Sequence, residues 1–151
     1  MNIKINVFLS IFLMSTILTY AQQSKIASYY DYQNVCLEDK LDGSYIVQGW
    51  GKGSTKKEAI DQAKRNVLND ILLNGISKGC KLLPLIIELN AETKYKEYIY
   101  SFFNSDYKKF IEIEKSSKTL KKSIKQTAYG VKLKVNRQSL RQKLIQDNIL
   151  K

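Results

Sequence analysis

The chain has 151 residues, 44% of them hydrophobic and 26% charged, with two cysteines, no histidine and a formal net charge of +11. Lacking histidine, it lacks the commonest general base and metal ligand near neutral pH; serine triads, cysteine–histidine proteases and histidine-bearing zinc sites are excluded, and two thiolates alone do not close a zinc site. Pro84 is the only proline and no repeat, low-complexity tract or Ser/Gly-rich linker is present, so residues 22–151 fit a single domain built round one core.

In chain order, Met1 to Ala21 read as a cleavable export signal. Lys4 supplies the positive start, Val7 to Leu18 the apolar stretch, and Thr19-Tyr20-Ala21 a small-x-small cleavage site. The alternative is an uncleaved anchor. A spanning helix wants about 20 predominantly apolar residues, whereas Ser10, Ser15, Thr16 and Thr19 interrupt this stretch and Gln22, Gln23 and Ser24 look solvated. A lipoprotein signal needs a Cys directly after the cleavage site, and the first one is Cys36. The expected location is therefore periplasmic or extracellular, with association with the outer membrane left open.

Residues 22–40 read as an extended or loosely packed arm ahead of a single domain over 41–151. An exported chain with an even cysteine count suggests a Cys36–Cys80 disulfide, which would be worth up to roughly 4 kcal/mol by loop closure. Two unpaired buried cysteines are the other reading.

Tyr45 to Trp50, after the turn signal Asp42-Gly43, reads as a strand. It runs into the glycine-rich stretch 49–53, then into a helix whose Thr55 and Glu58 form a capping box. Ile60, Ala63, Val67 and Ile71, widened by Ala59, Leu68 and Leu72, make its apolar face, with an end expected near Asn74-Gly75. Ala59 and Ala63 are small enough to let this helix approach a sheet closely. Leu82 to Leu89, broken by Pro84, is a short edge strand or an extended connection. From Asn90 a second helix presents Tyr95, Tyr98, Ile99, Phe102, Phe103 and Phe110, a stripe that either covers the sheet or forms a ligand-stacking platform.

Ile111 to Glu114 and Tyr129 to Val135 alternate apolar with charged residues, predicting an antiparallel hairpin with Ile111, Ile113, Val131, Leu133 and Val135 inward and Lys115 to Lys125 at its tip or in strand extensions. Asn136 caps a last helix with Leu140, Leu144, Ile145 and Ile149 inward. The fold class is α+β, a small mainly antiparallel sheet packed by two or three helices in the order β-α-(β)-α-β-β-α.

Gly49-Trp50-Gly51 on a strand, Ala59-Ile60 and Gln62-Ala63 on the following helix, and the strand-to-helix run Tyr129 to Leu144 resemble the exported small domains of a bacterial family. That family includes outer-membrane-associated small lipoproteins and the N-terminal domain of the flagellar assembly protein T. The resemblance spans roughly 45–145 and departs in lacking a lipidated Cys and in carrying the aromatic insert Tyr95 to Phe110. It implies envelope assembly or scaffolding and supplies no catalytic residues.

Three signals bear on chemistry. The stretch 49–55 is glycine-rich and feeds a helix, yet matches neither a P-loop nor a dinucleotide fingerprint; if an anion bound there, Lys52, Lys56 and Lys57 would support it. Glycine at these positions is also explained by a bulge and a close strand-to-helix turn. Residues 115–146 carry ten cations and no carboxylate: Lys115, Lys118, Lys121, Lys122, Lys125, Lys132, Lys134, Arg137, Arg141 and Lys143. That field suits an acidic polysaccharide or an anionic membrane surface, and nucleic acid less well, because export makes it an uncommon target; a solvated face is the plain alternative. Glu112 and Glu114 share one strand face and read as a polar surface rather than a catalytic pair.

The expected function is that of a non-enzymatic envelope accessory or assembly protein acting through a protein interface, with Trp50, Tyr98, Phe102 and Phe103 as interface candidates wherever exposed. The alternative is an anion-binding module using 115–146. No cofactor or metal is indicated.

Overall fold

A computed structural model describes residues 33–115, 120, 121 and 128–151. The export signal over Met1 to Ala21, the first part of the arm, and Lys118, Lys122 and Lys125 lie outside the described residues. The elements are β1 (Val35–Asp39), β2 (Ser44–Lys52), α1 (Lys56–Asn69), α2 (Ala91–Lys94), α3 (Lys96–Ser105), β3 (Ile111–Ile113), β4 (Leu120–Lys121), β5 (Ala128–Asn136) and α4 (Arg137–Gln146). The fold is α+β: an antiparallel sheet in the order β1-β2-β5-β3, with β4 also on β5, packed by helices.

The hairpin read from alternation is present, with Ile111 opposite Val135 and Ile113 opposite Leu133. Farther along β5, Leu120 lies opposite Gly130 and Lys121 opposite Tyr129. β3 and β4 thus pair with the same side of β5, in different registers. Val131, Leu133 and Val135 are buried on the helix-facing side. Ile113, expected inward, shares that face but remains 43% exposed because it sits where the sheet ends.

The end of the arm is more ordered than its composition suggested. Val35–Asp39 pairs with β2 as an edge strand, with a register shift between Cys36 and Glu38. The bulge expected at the β2 glycines is absent: β2 and β5 pair without interruption from Ser44 to Lys52. Gly49 and Gly51 instead face α1. A methyl group at Gly51 would lie 2.0 Å from the Ala59 carbonyl oxygen and 2.4 Å from the Ala63 amide nitrogen. Small residues on both sides of this seam let the helix axis settle onto the strand, as Ala59 and Ala63 implied.

α1 starts with the predicted capping box: the Glu58 amide donates to Thr55 Oγ1, and the Glu58 carboxylate accepts from the Thr55 amide. After Asn69 the helix widens into one π turn, Asp70–Asn74, before Gly75. Leu82 to Leu89 is the extended connection of the two readings, touching Ile76 through one isolated bridge at Leu82. The Leu85 and Ile86 amides donate to the Ile71 and Leu72 carbonyls, each at 2.9 Å. They satisfy acceptors that a helix end leaves open. Leu82, Leu85 and Ile86 are buried, while Leu83, Ile87 and Leu89 are 72, 76 and 94% exposed.

The predicted aromatic helix is split into α2 and α3, followed by a 3-10 turn, Tyr107–Lys109. Its stripe closes the core, with Phe102 edge-on to Phe103 at 5.2 Å and stacked on Phe110 at 5.8 Å. In α4, the Asn136 side chain accepts from the Ser139 amide, and Leu140 and Leu144 are buried. Ile145, expected inward, is 38% exposed because it lies beside rather than on that face. Ile149, beyond the helix end, packs against the core.

Candidate functional site

Cys36 and Cys80 form a disulfide, with Cα atoms 5.2 Å apart. The Cys36 amide donates to the Lys78 carbonyl at 3.0 Å, which fixes the same junction by hydrogen bonding. Gly79, at φ +84°, lies so close that an added methyl would meet the Cys36 carbonyl oxygen at 1.7 Å. The bridge joins the edge strand to the loop after α1.

Of the four aromatic interface candidates, Phe102 and Phe103 are corrected to core residues, 3% and 0% exposed. They are turned inward by the same packing that closes the aromatic cluster. Trp50 is half-buried on the sheet face opposite α1, where its ring covers Gly130. Tyr98 is half-buried too, its hydroxyl donating to Asp147 Oδ2 at 2.7 Å. Burial and that carboxylate both push the Tyr98 phenol upward. The exposed aliphatic row Leu83, Ile87 and Leu89 was missed as a candidate surface; Pro84 obscured any period that would have marked it.

The basic segment does not form an unbroken cationic face in its described part. Lys134 bridges to Asp42 at 3.1 Å, and Lys143 to Asp147 at 2.7 Å. The Arg137 guanidinium donates to the Leu83 carbonyl at 3.0 Å. On the sheet, Glu112 lies opposite Lys134, which interleaves carboxylates with the strand lysines. Lys132 and Arg141 are exposed, as is Lys115. For Lys121 only the backbone position in β4 is described.

A second cationic region lies beside the N-terminal half of α1. A broad groove of about 1090 Å³ is lined by Lys52, Gly53, Ser54, Thr55, Lys56, Lys57, Glu58, Ile60, Asp61, Gln62, Lys64, Arg65, Lys108 and Ile113. It gathers the three lysines that sequence had attached to the glycine-rich stretch. The amides there are not an open anion cradle, since those of Ser54 and Thr55 both donate to Glu58 Oε2, at 2.9 and 3.3 Å.

The groove floor is a polar cluster that sequence reasoning missed. The Tyr107 hydroxyl donates to Asp61 Oδ1, and Arg65 Nε meets Asp61 Oδ2 at 3.0 Å. The Arg65 guanidinium lies 4.6 Å from the Tyr107 ring centroid, a cation–π stack. Lys108 comes within 4.0 Å of Asp61. The i, i+4 spacing of Asp61 and Arg65 could have suggested their pair, but nothing local ties either to Tyr107.

Burial acts to raise the Asp61 carboxyl, yet hydrogen bonds from Tyr107 and Arg65 and the charges of Arg65 and Lys108 outweigh it and hold the group below its ordinary value. A depressed carboxylate contributes stability that is complete above its unfolded pKa of about 3.9 and is lost as pH falls through the lower folded value. Asp61→Asn should therefore flatten the fall of the urea midpoint between about pH 5 and pH 2, and cost about 1–2 kcal/mol at neutral pH. An acid limb identical to that of the native protein would remove Asp61 from this linkage.

Among the described residues no helix is long and apolar enough to cross a membrane, and no group of three or more His, Cys, Asp or Glu is placed to hold a metal ion. No protein-family model matches the chain, and no curated protein or solved structure matches it.

Proposed function

We propose that the protein is an exported, non-enzymatic accessory or assembly component of a bacterial envelope that acts by binding another protein. The observation that carries this reading is the row Leu83, Ile87 and Leu89, exposed to 72, 76 and 94% on a segment anchored by its buried neighbours. Large aliphatic side chains held outward on an anchored backbone suit a protein interface, where burying each contributes about 1.5–3 kcal/mol. Export rests on the reading of Met1 to Ala21 and agrees with a disulfide, which persists in oxidising compartments. The resemblance to exported assembly domains points the same way.

The test is crosslinking in native cells followed by co-purification with low-salt and high-salt washes. A defined envelope protein should be retained at high salt. The triple variant Leu83→Asp/Ile87→Asp/Leu89→Asp should lose it while keeping the thermal midpoint, because the replaced side chains are exposed. Undiminished capture by that variant would refute the assignment of this surface. Recovery of anionic polymer or lipid alone, lost at high salt, would favour the basic segment instead.

A further inference from the structure

We infer that the groove beside α1 receives an extended acidic peptide segment of a partner protein, added as a strand along the outer edge of β3. The inference rests on the protein-binding reading above but uses a different surface, and it names the chemistry of the occupant.

Three observations converge. β3 is the last strand of the sheet order, and among the described residues no strand pairs with its outer side. The Phe110 carbonyl accepts from the Asn136 amide, and the Glu114 amide donates to the Lys132 carbonyl, at 3.0 Å each. Alternation then turns the peptide groups of Ile111 and Ile113 away from β5; Ile111 is covered, at 2% exposed, so the donor and acceptor open to an incoming strand are those of Ile113. Second, Ile113 lines the groove and is 43% exposed, an apolar contact for alternate side chains of such a strand. Third, the charges of the groove are asymmetric. Both its carboxylates are engaged internally, Glu58 by the Ser54 and Thr55 amides and Asp61 by Tyr107 and Arg65. Lys56, Lys57 and Lys64 have no carboxylate within 4.0 Å among the described residues, and the Lys108 side chain is 68% exposed.

The outward amide and carbonyl of Ile113 beside uncommitted ammonium groups match a peptide carrying carboxylates. Main-chain hydrogen bonds supply affinity in this mode, and side-chain contacts supply specificity. A sugar or phosphate polymer would satisfy the lysines but has no amide ladder to complete the edge.

The experiment measures fluorescence anisotropy of the disulfide-bonded full chain with a labelled heptapeptide alternating Val and Glu, its analogue N-methylated at alternate amides, and labelled polyphosphate. The plain peptide should bind, with N-methylation or the variant Lys56→Glu/Lys57→Glu/Lys64→Glu each weakening it by at least ~10-fold. The lysine variant should retain the native thermal midpoint, since these side chains hold no internal pair. Equal binding of both peptides, binding of polyphosphate alone, or no binding at all would overturn the inference. The Leu83→Asp/Ile87→Asp/Leu89→Asp variant should bind the plain peptide normally even where it loses the captured envelope partner. Loss of peptide binding there would place the peptide on the aliphatic row and defeat the groove assignment while leaving the protein-interface reading intact.

Discussion

Gly51→Ala is expected to lower stability by about 3 kcal/mol, at the upper end of what overpacking costs, and to bring the urea midpoint down by roughly 2 M. The reason is the nature of the atoms in the way. The added methyl would meet the Ala59 carbonyl oxygen at 2.0 Å and the Ala63 amide nitrogen at 2.4 Å, both backbone atoms of α1. No rotamer change relieves such a contact, and trimming Ala59 or Ala63 to glycine would leave the colliding atoms in place. Relief requires α1 to lift from β2. Val67 and Leu68, both fully buried, would then lose contact with the core. Urea denaturation followed by circular dichroism checks this directly, and a midpoint within about 0.3 M of native would show that the seam can open at little cost.

The second large effect is expected from the Cys36–Cys80 bridge, which spans a sequence separation of 44. Restricting the unfolded chain over a loop of that length is worth about 4 kcal/mol in the loop-entropy estimate. The double variant Cys36→Ala/Cys80→Ala should lose about 2–4 kcal/mol, since part of that sum is offset by whatever structure the unfolded chain retains. Two features concentrate the loss at β1. The strand is at the sheet edge, and its partner on the other side is a single bridge from Val35 to Lys78. Native-state hydrogen exchange should show the β1 amides losing protection before those of β5 when the bridge is removed. Unchanged stability and unchanged β1 exchange would mean that the sheet holds this strand without covalent help.

Much of this architecture could be read from residues whose determinants are local. Thr55 and Glu58 announce the start of α1 because a capping box is completed within three residues. Alternation over 111–114 and 129–135 reveals the hairpin because a strand with one wet face writes its period into the chain. The helix side of the seam, Ala59 and Ala63, was visible from size alone, whereas Gly51 read as part of a bulge and turn and proved to be the strand side of the same seam. By contrast, β1 escaped notice because Val35-Cys36-Leu37 is followed by Glu38 and Asp39, so its strand pattern is too short to register. The reading of the aromatic stripe as a cover for the sheet holds for Phe102 and Phe103, but their choice as interface candidates does not, since an aromatic stripe looks the same whether it meets a core or a partner. Asp61 and Tyr107 meet across a separation of 46 residues, through the packing of a turn against a helix that no local pattern encodes. The basic run was obvious as composition, but Asp42 and Asp147, which pair with two of its lysines, lie outside it in sequence.

The amides of Leu85 and Ile86, donated into the carbonyl end of α1, bear on how the neighbouring aliphatics would recognise a partner. A segment with no repeating structure ordinarily samples many conformations, and binding through it forfeits that freedom. Here folding has already fixed the backbone on both sides of Pro84, so Leu83 and Ile87 are held out on a rigid mount. Association would then forgo little conformational entropy beyond that of the side chains themselves, and a small apolar area can support a useful affinity. The same tie makes the connection part of the cooperative unit of α1, so that the exposed aliphatic row keeps its arrangement until the helix itself unfolds.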